Sequence, residues 1–288
     1  MDTSLKQINI EDGVNGYVDL VQHVLKHGEP AAPKGINTRE IEDAVITIGN
    51  VYATLPIGVN RGTVPGIGAV EACQLISGLS APELVVGIGP QFENYTEDDG
   101  KFHGSYGTRT RGQYNVVVDR LRKDPDTRQA VVTMWSPPLD MLEKKRDYPC
   151  TILHQFRIRK DKLNMSVYMR SNDVWLGAAY DFFQFTRVQL GLCSILGIEP
   201  GTYAHHVGSL HIYENNYEAA ENLKKTSNIF VPPVLTGRTW DELAASAGFA
   251  LHAAEDRTLV EFLTEEERWF TSSMTKAVDK NNERKTGQ

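Results

Sequence analysis

The sequence lacks several features that would assign it to a class at once. It has three cysteines among 288 residues, an odd number that does not suit a disulfide framework, so a reducing environment is expected. No apolar run approaches the roughly 20 residues of a membrane span. Residues 1–13 have neither the basic flank nor the apolar stretch of a secretory signal. These absences predict a cytoplasmic protein that does not bind membranes.

Positive charge and internal repetition are scarce as well. The formal net charge is −7 and there is no block of Lys and Arg, so we expect no binding to nucleic acid. Any phosphate must be bound by a few individually placed arginines. With 41% hydrophobic residues, no repeat and no long linker, the chain can bury one core. We predict one domain over residues 1–288, with about 30 N-terminal and about 10 C-terminal residues peripheral.

Strand-like and helix-like patterns together indicate an α+β fold, with a large sheet covered by helices on one side. Two alternating segments, 152–159 and 163–170, predict a β-hairpin that turns at residues 160–162. A long apolar stretch predicts a buried helix over residues 176–196. The remaining predictions are strands at 44–51, 129–135 and 203–213, helices at 69–77, 113–123, 215–224 and within the last forty residues, a loop at 92–107, and a frayed tail from 280.

One cysteine has a different sequence context from the other two. Cys73 and Cys193 lie in apolar helical stretches, where a buried structural thiol is common. Cys150 follows a proline at the start of a predicted strand, close to Arg146 and Tyr148 instead of a hydrophobic run. A reactive thiol needs a nearby cation or helix terminus to lower its pKa. The residues alone therefore leave Cys150 equally open to a nucleophilic and a structural role.

Two carboxylates interrupt apolar helical stretches. Asp181 lies in the predicted buried helix, and a buried carboxylate is costly unless it has partners. It either faces solvent or a salt bridge, or it lines a cavity and binds a ligand together with Gln184 on the same helix face. We favour the ligand. Glu71 is the only charge in its apolar segment, and is either a carboxylate near a helix N-terminus or a buried acid/base group.

Polar residues at strand ends suggest two further sites. Arg170 and Ser171 end the second hairpin strand, where a guanidinium and a hydroxyl can bind phosphate, although a solvent-exposed arginine fits the pattern equally well. His205, His206 and His211 raise the question of a metal. No Cys or carboxylate accompanies them at ligand spacing, so we predict no metal site.

Between about residues 36 and 217, the chain resembles the thymidylate synthase family. No single motif is specific, but their order and spacing are. The resemblance makes Cys150 the expected nucleophile. It also implies a thymidylate synthase-like fold and a homodimer in which one face of the large mixed sheet forms the interface. The matching segments are residues 70–71, 104–107, 124–128, 149–150, 155–156, 170–177, 180–184 and 208–213.

Two departures point to one branch of that family. Thymidylate synthases have Asn where this chain has Asp181, and His where it has Thr151 after the nucleophile. The deoxycytidylate (dCMP) 5-hydroxymethylases carry Asp and Thr there, and share residues 169–173 and 207–211. The chain therefore resembles a dCMP hydroxymethylase. Such an enzyme transfers a one-carbon unit from 5,10-methylenetetrahydrofolate to C5 of the cytosine ring and adds water.

The chemistry of Asp181 supports this branch independently of the resemblance. An ionised carboxylate only accepts hydrogen bonds, so it suits the 4-amino group of cytosine and repels O4 of uracil. It also favours a proton on N3 of cytosine, which attack at C6 requires. Mismatched buried hydrogen bonds discriminate strongly between substrates.

The resemblance implies roles for the remaining site residues. Cys150 attacks C6, Glu71 organises proton transfers and the water, and Asp181 reads the base. Arg128 is expected to reach the phosphate across the dimer interface. The substrate-binding residues are expected to be Arg39 (or, less favoured, Arg61), Tyr106, Arg128, Arg170, Ser171, Asn172, His211 and Tyr213. The folate-binding residues are expected to be Phe92, Tyr95, Asp173, Gly177 and Tyr180.

Three alternatives remain. The first is a CMP hydroxymethylase of a nucleoside-antibiotic pathway. Ser171 and Arg128 argue against it, because they match the pattern of enzymes that use deoxynucleotides. The second is an enzyme that acts on dUMP, either a thymidylate synthase or a dUMP hydroxymethylase, which Asp181 disfavours. The third is an inactive nucleotide- or RNA-binding relative, which the intact Cys150 and Glu71 argue against.

Overall fold

One mixed β-sheet organises the chain. The structure is a computed structural model that describes residues 6–141 and 144–286. Its strands are β1 (Gln7–Asp12), β2 (Glu29–Ala31), β3 (Thr38–Asn50), β4 (Val131–Thr133), β5 (Thr151–Arg159), β6 (Lys162–Met169), β7 (Asn172–Asp173) and β8 (Glu199–Tyr213). The sheet order is β1-β3-β8-β6-β5-β4, with β2 paired to β3 and β7 to β8. The pairs β1–β3, β6–β8 and β7–β8 are parallel and the other pairs are antiparallel.

Within residues 6–141 and 144–286, helices cover only one face of this sheet. Tyr203 and His205 on β8 point to the covered face and are fully buried, because successive strand residues alternate between faces. His206 points the other way and is half-buried. The ring of Tyr168 on β6 stacks on it at 4.5 Å. The predicted α+β fold, with a large mixed sheet covered by helices, is therefore confirmed.

The helices stack in layers on the covered face. The longer ones are α1 (Asn15–His27), α2 (Pro65–Ser77), α5 (Gln113–Lys123), α7 (Ala178–Leu196), α9 (Trp240–Glu255) and α10 (Glu265–Thr286). Shorter helices are α3 (Pro82–Ile88), α4 (Tyr106–Thr110), α6 (Pro137–Asp140) and α8 (Tyr217–Glu221). Helix α7 lies against β6 and β8, α2 packs on α7, and α9 and α10 pack on α2. Neighbours on several sides explain why the sequences of α2 and α7 are apolar all round.

Most predicted elements are present, with shifted ends. The helix at 113–123 has the predicted bounds, and the buried helix begins at Ala178. The hairpin turns at Lys160 and Asp161, whose φ angles of 52° and 55° suit the two-residue turn that matches strand twist. Strands β3 and β8 start earlier than predicted, because their first residues are polar and do not stand out by composition.

Three predictions about chain segments were wrong. The first 30 residues are not peripheral, since β1 pairs with β3 and Tyr17 and Leu20 of α1 are fully buried. The predicted helix at 215–224 is reduced to Tyr217–Glu221. The tail is helical to Thr286 instead of frayed, although its side chains are mostly exposed. The side chain of Asn281, in this helical tail, donates a hydrogen bond to the carbonyl of Gly87 at 2.9 Å. Residues 287 and 288 of that predicted tail lie outside the described residues.

No helix within residues 6–141 and 144–286 combines the length and apolar character that crossing a membrane requires.

Candidate active site

Cys150 stands directly before β5, beside the end of β6. The backbone N–H of Arg170 donates to the carbonyl of Cys150 at 2.9 Å. The Nη2 atom of the Arg170 side chain lies 3.6 Å from Sγ of Cys150. The same guanidinium donates to the carbonyls of Tyr148 and Pro149 at 3.3 and 3.1 Å. The β5–β6 hairpin therefore brings the guanidinium of Arg170 next to the thiol of Cys150.

The resting thiol is protonated at neutral pH. Burial raises the pKa of Cys150 to about 11, and the charge of Arg170 acts in the opposite direction. The carboxylates of Asp181, Asp147 and Asp173 raise the pKa further. Attack by this thiol therefore requires that its proton be taken up as the substrate reacts.

A buried polar cluster braces the segment before Cys150. The backbone N–H of Gly104 donates to Asp147 Oδ2 at 2.9 Å, and a Cβ at position 104 would lie 2.7 Å from that oxygen, so only glycine fits. Arg109 pairs with both oxygens of Asp140 at 2.8 Å. Arg109 and Asp140 were not predicted as part of the site, and the glycine of the 104–107 motif was the sequence signal nearest to them.

Asp181 lies in the first turn of α7 and is only 7% exposed. Asn172 Nδ2 donates to its Oδ2 at 2.7 Å, and Gln184 Nε2 donates to its Oδ1 at 3.1 Å. Gln184 Nε2 also donates to Glu71 Oε2 at 3.1 Å, so one amide joins two carboxyl groups. The solvent-facing and salt-bridge interpretations of Asp181 are therefore excluded, since its described partners are amides.

The two linked carboxyl groups differ in their tendency to ionise. Burial raises the pKa of Asp181 to about 7, while hydrogen bonds from Asn172 and Gln184 oppose the rise. Burial, together with the charge of Asp181, raises the pKa of Glu71 well above its usual range. Asp181 receives two hydrogen bonds and Glu71 one, so Asp181 ionises first. Burial therefore favours the protonated form of Glu71, in which it can act as an acid.

Several predicted substrate residues converge near the thiol. Tyr106 OH accepts from the backbone N–H of Thr151 at 3.3 Å. His211 and Tyr213, at the end of β8, pack edge to face at 5.2 Å. Burial raises the pKa of Tyr213, and the charge of Cys150 adds to the effect, so this ring is within electrostatic reach of the thiol. Ser171 is half-buried beside Arg170.

The structure does not bring Arg39 to this cluster. Arg39 lies opposite Ile212 in the β3–β8 pair, whereas His211 and Tyr213 lie opposite the residues on either side of Arg39. Its side chain therefore projects to the helix-covered face, where Nη1 donates to the carbonyl of Gly28 at 3.2 Å. Arg39 therefore does not lie beside His211 and Tyr213 in this structure, and its role in phosphate binding stays a prediction.

The other two candidate phosphate arginines also lie apart from Cys150. The Nε atom of Arg61 donates to Tyr17 OH at 2.9 Å and to the carbonyl of Trp175 at 3.1 Å, so the guanidinium is used inside the fold. Arg128 lies on the exposed segment between α5 and β4. Its guanidinium makes no hydrogen bond or ion pair within the described residues.

A second set of predicted residues lines one side of the site. Asp173 Oδ1 accepts from the backbone N–H groups of Trp175 and Leu176 at 2.7 and 3.0 Å. Its Oδ2 is buried, and no described residue donates to it. Leu176 is 54% exposed. A free buried acceptor beside apolar surface fits a flat ring that carries N–H donors, as the pterin of folate does.

The remaining folate-side predictions lie around the same segment. Phe92 is half-buried, and Tyr95 is exposed at the end of the 3-10 helix Pro90–Tyr95. Tyr180 OH accepts from the backbone N–H of Val64 at 3.1 Å. Gly177 precedes α7. A Cβ there would lie 3.1 Å from both Asn172 Nδ2 and Asp181 Oδ2, so a side chain would press on their hydrogen bond.

Two residues behind Asn172 were not assigned from the sequence. His205 Nε2 lies 3.1 Å from Asn172 Oδ1, and Tyr203 OH lies 2.9 Å from His205 Nδ1. His205 had been considered only as a metal ligand. In the part of the chain that the structure describes, no group of three or more His, Cys, Asp or Glu side chains is arranged to hold a metal ion.

Comparison with known proteins agrees with this geometry. The family profile described as thymidylate synthase matches residues 15–242. A deoxyuridylate hydroxymethyltransferase of Bacillus phage SP01 is 28% identical over 232 residues, which cover 74% of this chain and 61% of the phage protein. A protein of Methanothermobacter marburgensis, provisionally named thymidylate synthase, is 28% identical over 230 residues, covering 76% of this chain and 98% of that protein. The chain belongs to the thymidylate synthase family, whose members transfer a one-carbon unit from methylenetetrahydrofolate to a pyrimidine nucleotide.

Proposed function

We propose that the protein hydroxymethylates a cytosine nucleotide. It transfers the one-carbon unit of 5,10-methylenetetrahydrofolate to C5 of dCMP and adds water, which gives 5-hydroxymethyl-dCMP and tetrahydrofolate. The observation that carries this proposal is Asp181, a buried carboxylate held by two amides and within electrostatic reach of Cys150.

Asp181 is suited to cytosine by its hydrogen-bonding capacity. Each carboxylate oxygen can accept more than one hydrogen bond, so Asn172 and Gln184 leave capacity for the base. The 4-amino group of cytosine donates to such an oxygen, and O4 of uracil repels it. Because the pKa of Asp181 is about 7, the carboxyl group can also share a proton with N3 of cytosine near neutral pH.

The covalent steps then use the groups around Cys150. Sγ loses its proton and bonds to C6, which makes C5 nucleophilic. C5 bonds to the methylene carbon of the co-substrate and loses its hydrogen as a proton. Cleavage of the carbon–nitrogen bond releases tetrahydrofolate and leaves an exocyclic methylene on C5. Water adds its oxygen to that carbon, the S–C6 bond breaks, and the thiolate recovers a proton. Glu71, whose protonated form is favoured by burial, is the group that organises these transfers.

The proposed enzyme is a homodimer with shared sites. Among the described residues, no helix packs over the sheet face that carries Tyr168 and His206, and these two side chains are half-buried. Arg128 is exposed and unpaired within the described residues, as a side chain that serves another subunit would be. Arg128 would supply a second cation for the phosphate beside Arg170.

One assay tests the substrate. The protein is incubated with methylenetetrahydrofolate and dCMP, CMP or dUMP, and the products are identified by mass. We expect dCMP to gain CH2O, the composition of a hydroxymethyl group. A gain of CH2 would indicate methylation instead. Turnover of CMP in preference to dCMP would contradict the deoxynucleotide assignment.

Hydroxymethylation of dUMP is the second candidate, because the phage relative is named for that substrate. Turnover of dUMP without turnover of cytosine nucleotides in the same assay would favour it and would contradict the role of Asp181.

The variant Asp181→Asn tests how the base is read. The amide gains a donor that suits O4 of uracil, so activity on dCMP should fall and affinity for dUMP should rise. Hydrogen bonds to a charged group contribute about 1.5–3 kcal/mol each, which implies a change of roughly tenfold to several hundredfold in the ratio of kcat/KM values. Asp12→Asn is the matched control, since Asp12 is a buried carboxylate that accepts from the backbone N–H groups of Val14 and Asn15. An unchanged dCMP to dUMP ratio in Asp181→Asn would exclude Asp181 as the base reader.

A further inference from the structure

A buried network of hydrogen bonds links Asp181 to residues of β8. Tyr203 OH lies 2.9 Å from His205 Nδ1, and His205 Nε2 lies 3.1 Å from Asn172 Oδ1. Asn172 Nδ2 then donates to Asp181 Oδ2 at 2.7 Å. Tyr203 and His205 are fully buried on β8. The ring of Phe182, on α7, packs edge to face on His205 at 5.0 Å and holds the imidazole in place.

The carboxylate of Asp181, at one end of this hydrogen-bond network, determines which group donates in each bond. An ionised Asp181 only accepts, so the amide nitrogen of Asn172 must face it and the amide oxygen must face His205. His205 must then carry its proton on Nε2. Burial lowers the pKa of His205 to about 3, so the ring is neutral and Nδ1 is an acceptor. Tyr203 therefore donates its hydroxyl proton to Nδ1, and every bond in the network points towards Asp181.

We propose that His205, oriented by Tyr203, is a positioning residue that fixes the amide of Asn172 and thereby holds Asp181 as a hydrogen-bond acceptor in the site. The geometry leaves little alternative for Asn172. A flipped amide would place Oδ1 against the carboxylate and Nδ2 against the Nε2–H of His205, and both contacts are repulsive. Any effect of His205 on the choice between dCMP and dUMP rests on the proposed function, in which Asp181 binds the base.

The groups around Asp181 explain why the hydrogen bond from Asn172 affects its pKa. Among the described residues, titratable side chains that interact with Asp181 include Glu71 on α2, Tyr106 on α4, Cys150 before β5 and Tyr203 on β8. These four groups are neutral or negatively charged, so none of them stabilises the carboxylate. Hydrogen bonds from Asn172 and Gln184 are therefore what opposes the effect of burial and keeps the pKa of Asp181 as low as about 7. Loss of the Asn172 hydrogen bond should leave the carboxyl group protonated at neutral pH.

The test measures the titration of Asp181 directly. The full-length protein is labelled with 13C in its aspartate carboxyl groups, titrated by NMR, and the Asp181 signal is assigned by its absence in Asp181→Asn. His205→Leu removes the donor to Asn172, and we expect the midpoint to rise by about one pH unit. His205→Gln keeps an N–H near the position of Nε2 and should restore a midpoint close to that of the wild type. Tyr203→Phe frees the tautomer of His205 and should give a smaller rise.

A second buried pair offers a matched control. Tyr114 OH lies 3.1 Å from His154 Nδ1, and His154 packs on Phe185 of the same helix α7. His154 is as buried as His205 and makes no hydrogen bond to Asn172 or Asp181 among the described residues. His154→Leu and Tyr114→Phe should therefore disturb the core to a similar degree and leave the Asp181 midpoint unchanged.

The outcomes separate this proposal from the proposed function. An unchanged midpoint in Tyr203→Phe and His205→Leu would overturn the positioning role, as would equal shifts in the His205 and His154 variants. If His205→Leu does not fold, Tyr203→Phe alone decides by the presence or absence of a shift. With the proposed function also correct, the preference of His205→Leu for dCMP over dUMP should fall about tenfold at neutral pH. Failure of the wild type to act on cytosine nucleotides would contradict the proposed function and leave the midpoint result intact.

Discussion

At the scale of single residues, the site combines groups that burial would keep neutral. The thiol of Cys150 has a pKa of about 11 and the carboxyl group of Asp181 one of about 7, both raised mainly by burial. Arg170 offsets part of the effect for the thiol, and amides offset part of it for Asp181. An anionic substrate with a polarisable ring would complete both environments. Perturbed pKa values of this kind are typical of functional sites.

Cys150→Ser should fold normally and lose turnover by several orders of magnitude, because a serine hydroxyl is far less ionised and less nucleophilic than a thiol. Steady-state kinetics, with circular dichroism as the check of folding, measures the effect. Cys73→Ala and Cys193→Ala are the controls, since both thiols are buried in helices; they should keep turnover and lose only stability. Turnover of Cys150→Ser within about tenfold of wild type would contradict the nucleophile assignment.

Asp181 should also cost stability in a pH-dependent way. The folded state binds the proton of Asp181 more tightly than the unfolded chain, so the free energy of unfolding falls as pH rises from about 4 to about 7. Asp181→Asn has no carboxyl group at this position, so its free energy of unfolding should not fall in this way as pH rises. In urea unfolding, the variant should be more stable than wild type at about pH 8, by on the order of 2–4 kcal/mol, and the gain should shrink towards pH 4. A gain that does not vary with pH would argue against a buried carboxylate that ionises near pH 7.

At the scale of elements, α2 and α7 carry the two carboxyl groups and hold each other in place. Helix α7 presents Asp181 and Gln184 towards α2, where Gln184 meets Glu71. Helices α9 and α10 pack on the other side of α2. The C-terminal helices thus support α2, which carries Glu71.

Phe270→Ala tests this support. Phe270 of α10 is fully buried, so its truncation should lower the free energy of unfolding by about 3–5 kcal/mol. Phe262→Ala, in the segment just before α10, is the matched control because Phe262 is 67% exposed and should cost little. Thermal unfolding measures both. Equal losses in the two variants would show that α10 does not pack as described.

At the scale of the whole molecule, the uncovered sheet face and Arg128 predict shared active sites. Inactive Cys150→Ser chains mixed with inactive Arg128→Ala chains should regain activity, because one site of each mixed dimer carries neither change. Cys150→Ser mixed with Arg170→Ala should stay inactive, since Arg170 lies beside the thiol of its own chain and no mixed site is intact. A stable, active monomer in sedimentation would contradict the prediction.

The sequence by itself determined the elements and the chemistry of single positions. Helical and alternating patterns are local, so α5, α7 and the β5–β6 hairpin were predicted close to their observed bounds. The Pro-Cys context and the lone carboxylate of an apolar helix made Cys150 and Asp181 candidates, because such residues conflict with their immediate neighbours, and the family resemblance made Cys150 the expected nucleophile. The motif order then indicated the family.

Only the tertiary structure decided which side chains meet. Asp43, with φ of 56°, and Gly208 interrupt the alternation of β3 and β8, so the faces of Arg39 and His211 could not be read from spacing. The contact of His205 with Asn172 joins residues that are far apart in sequence. Such contacts depend on strand register and helix packing, which no short stretch of sequence encodes. Gln184 could be placed beside Asp181 by helical spacing, whereas Asn172 and His205 joined it only once the chain was folded.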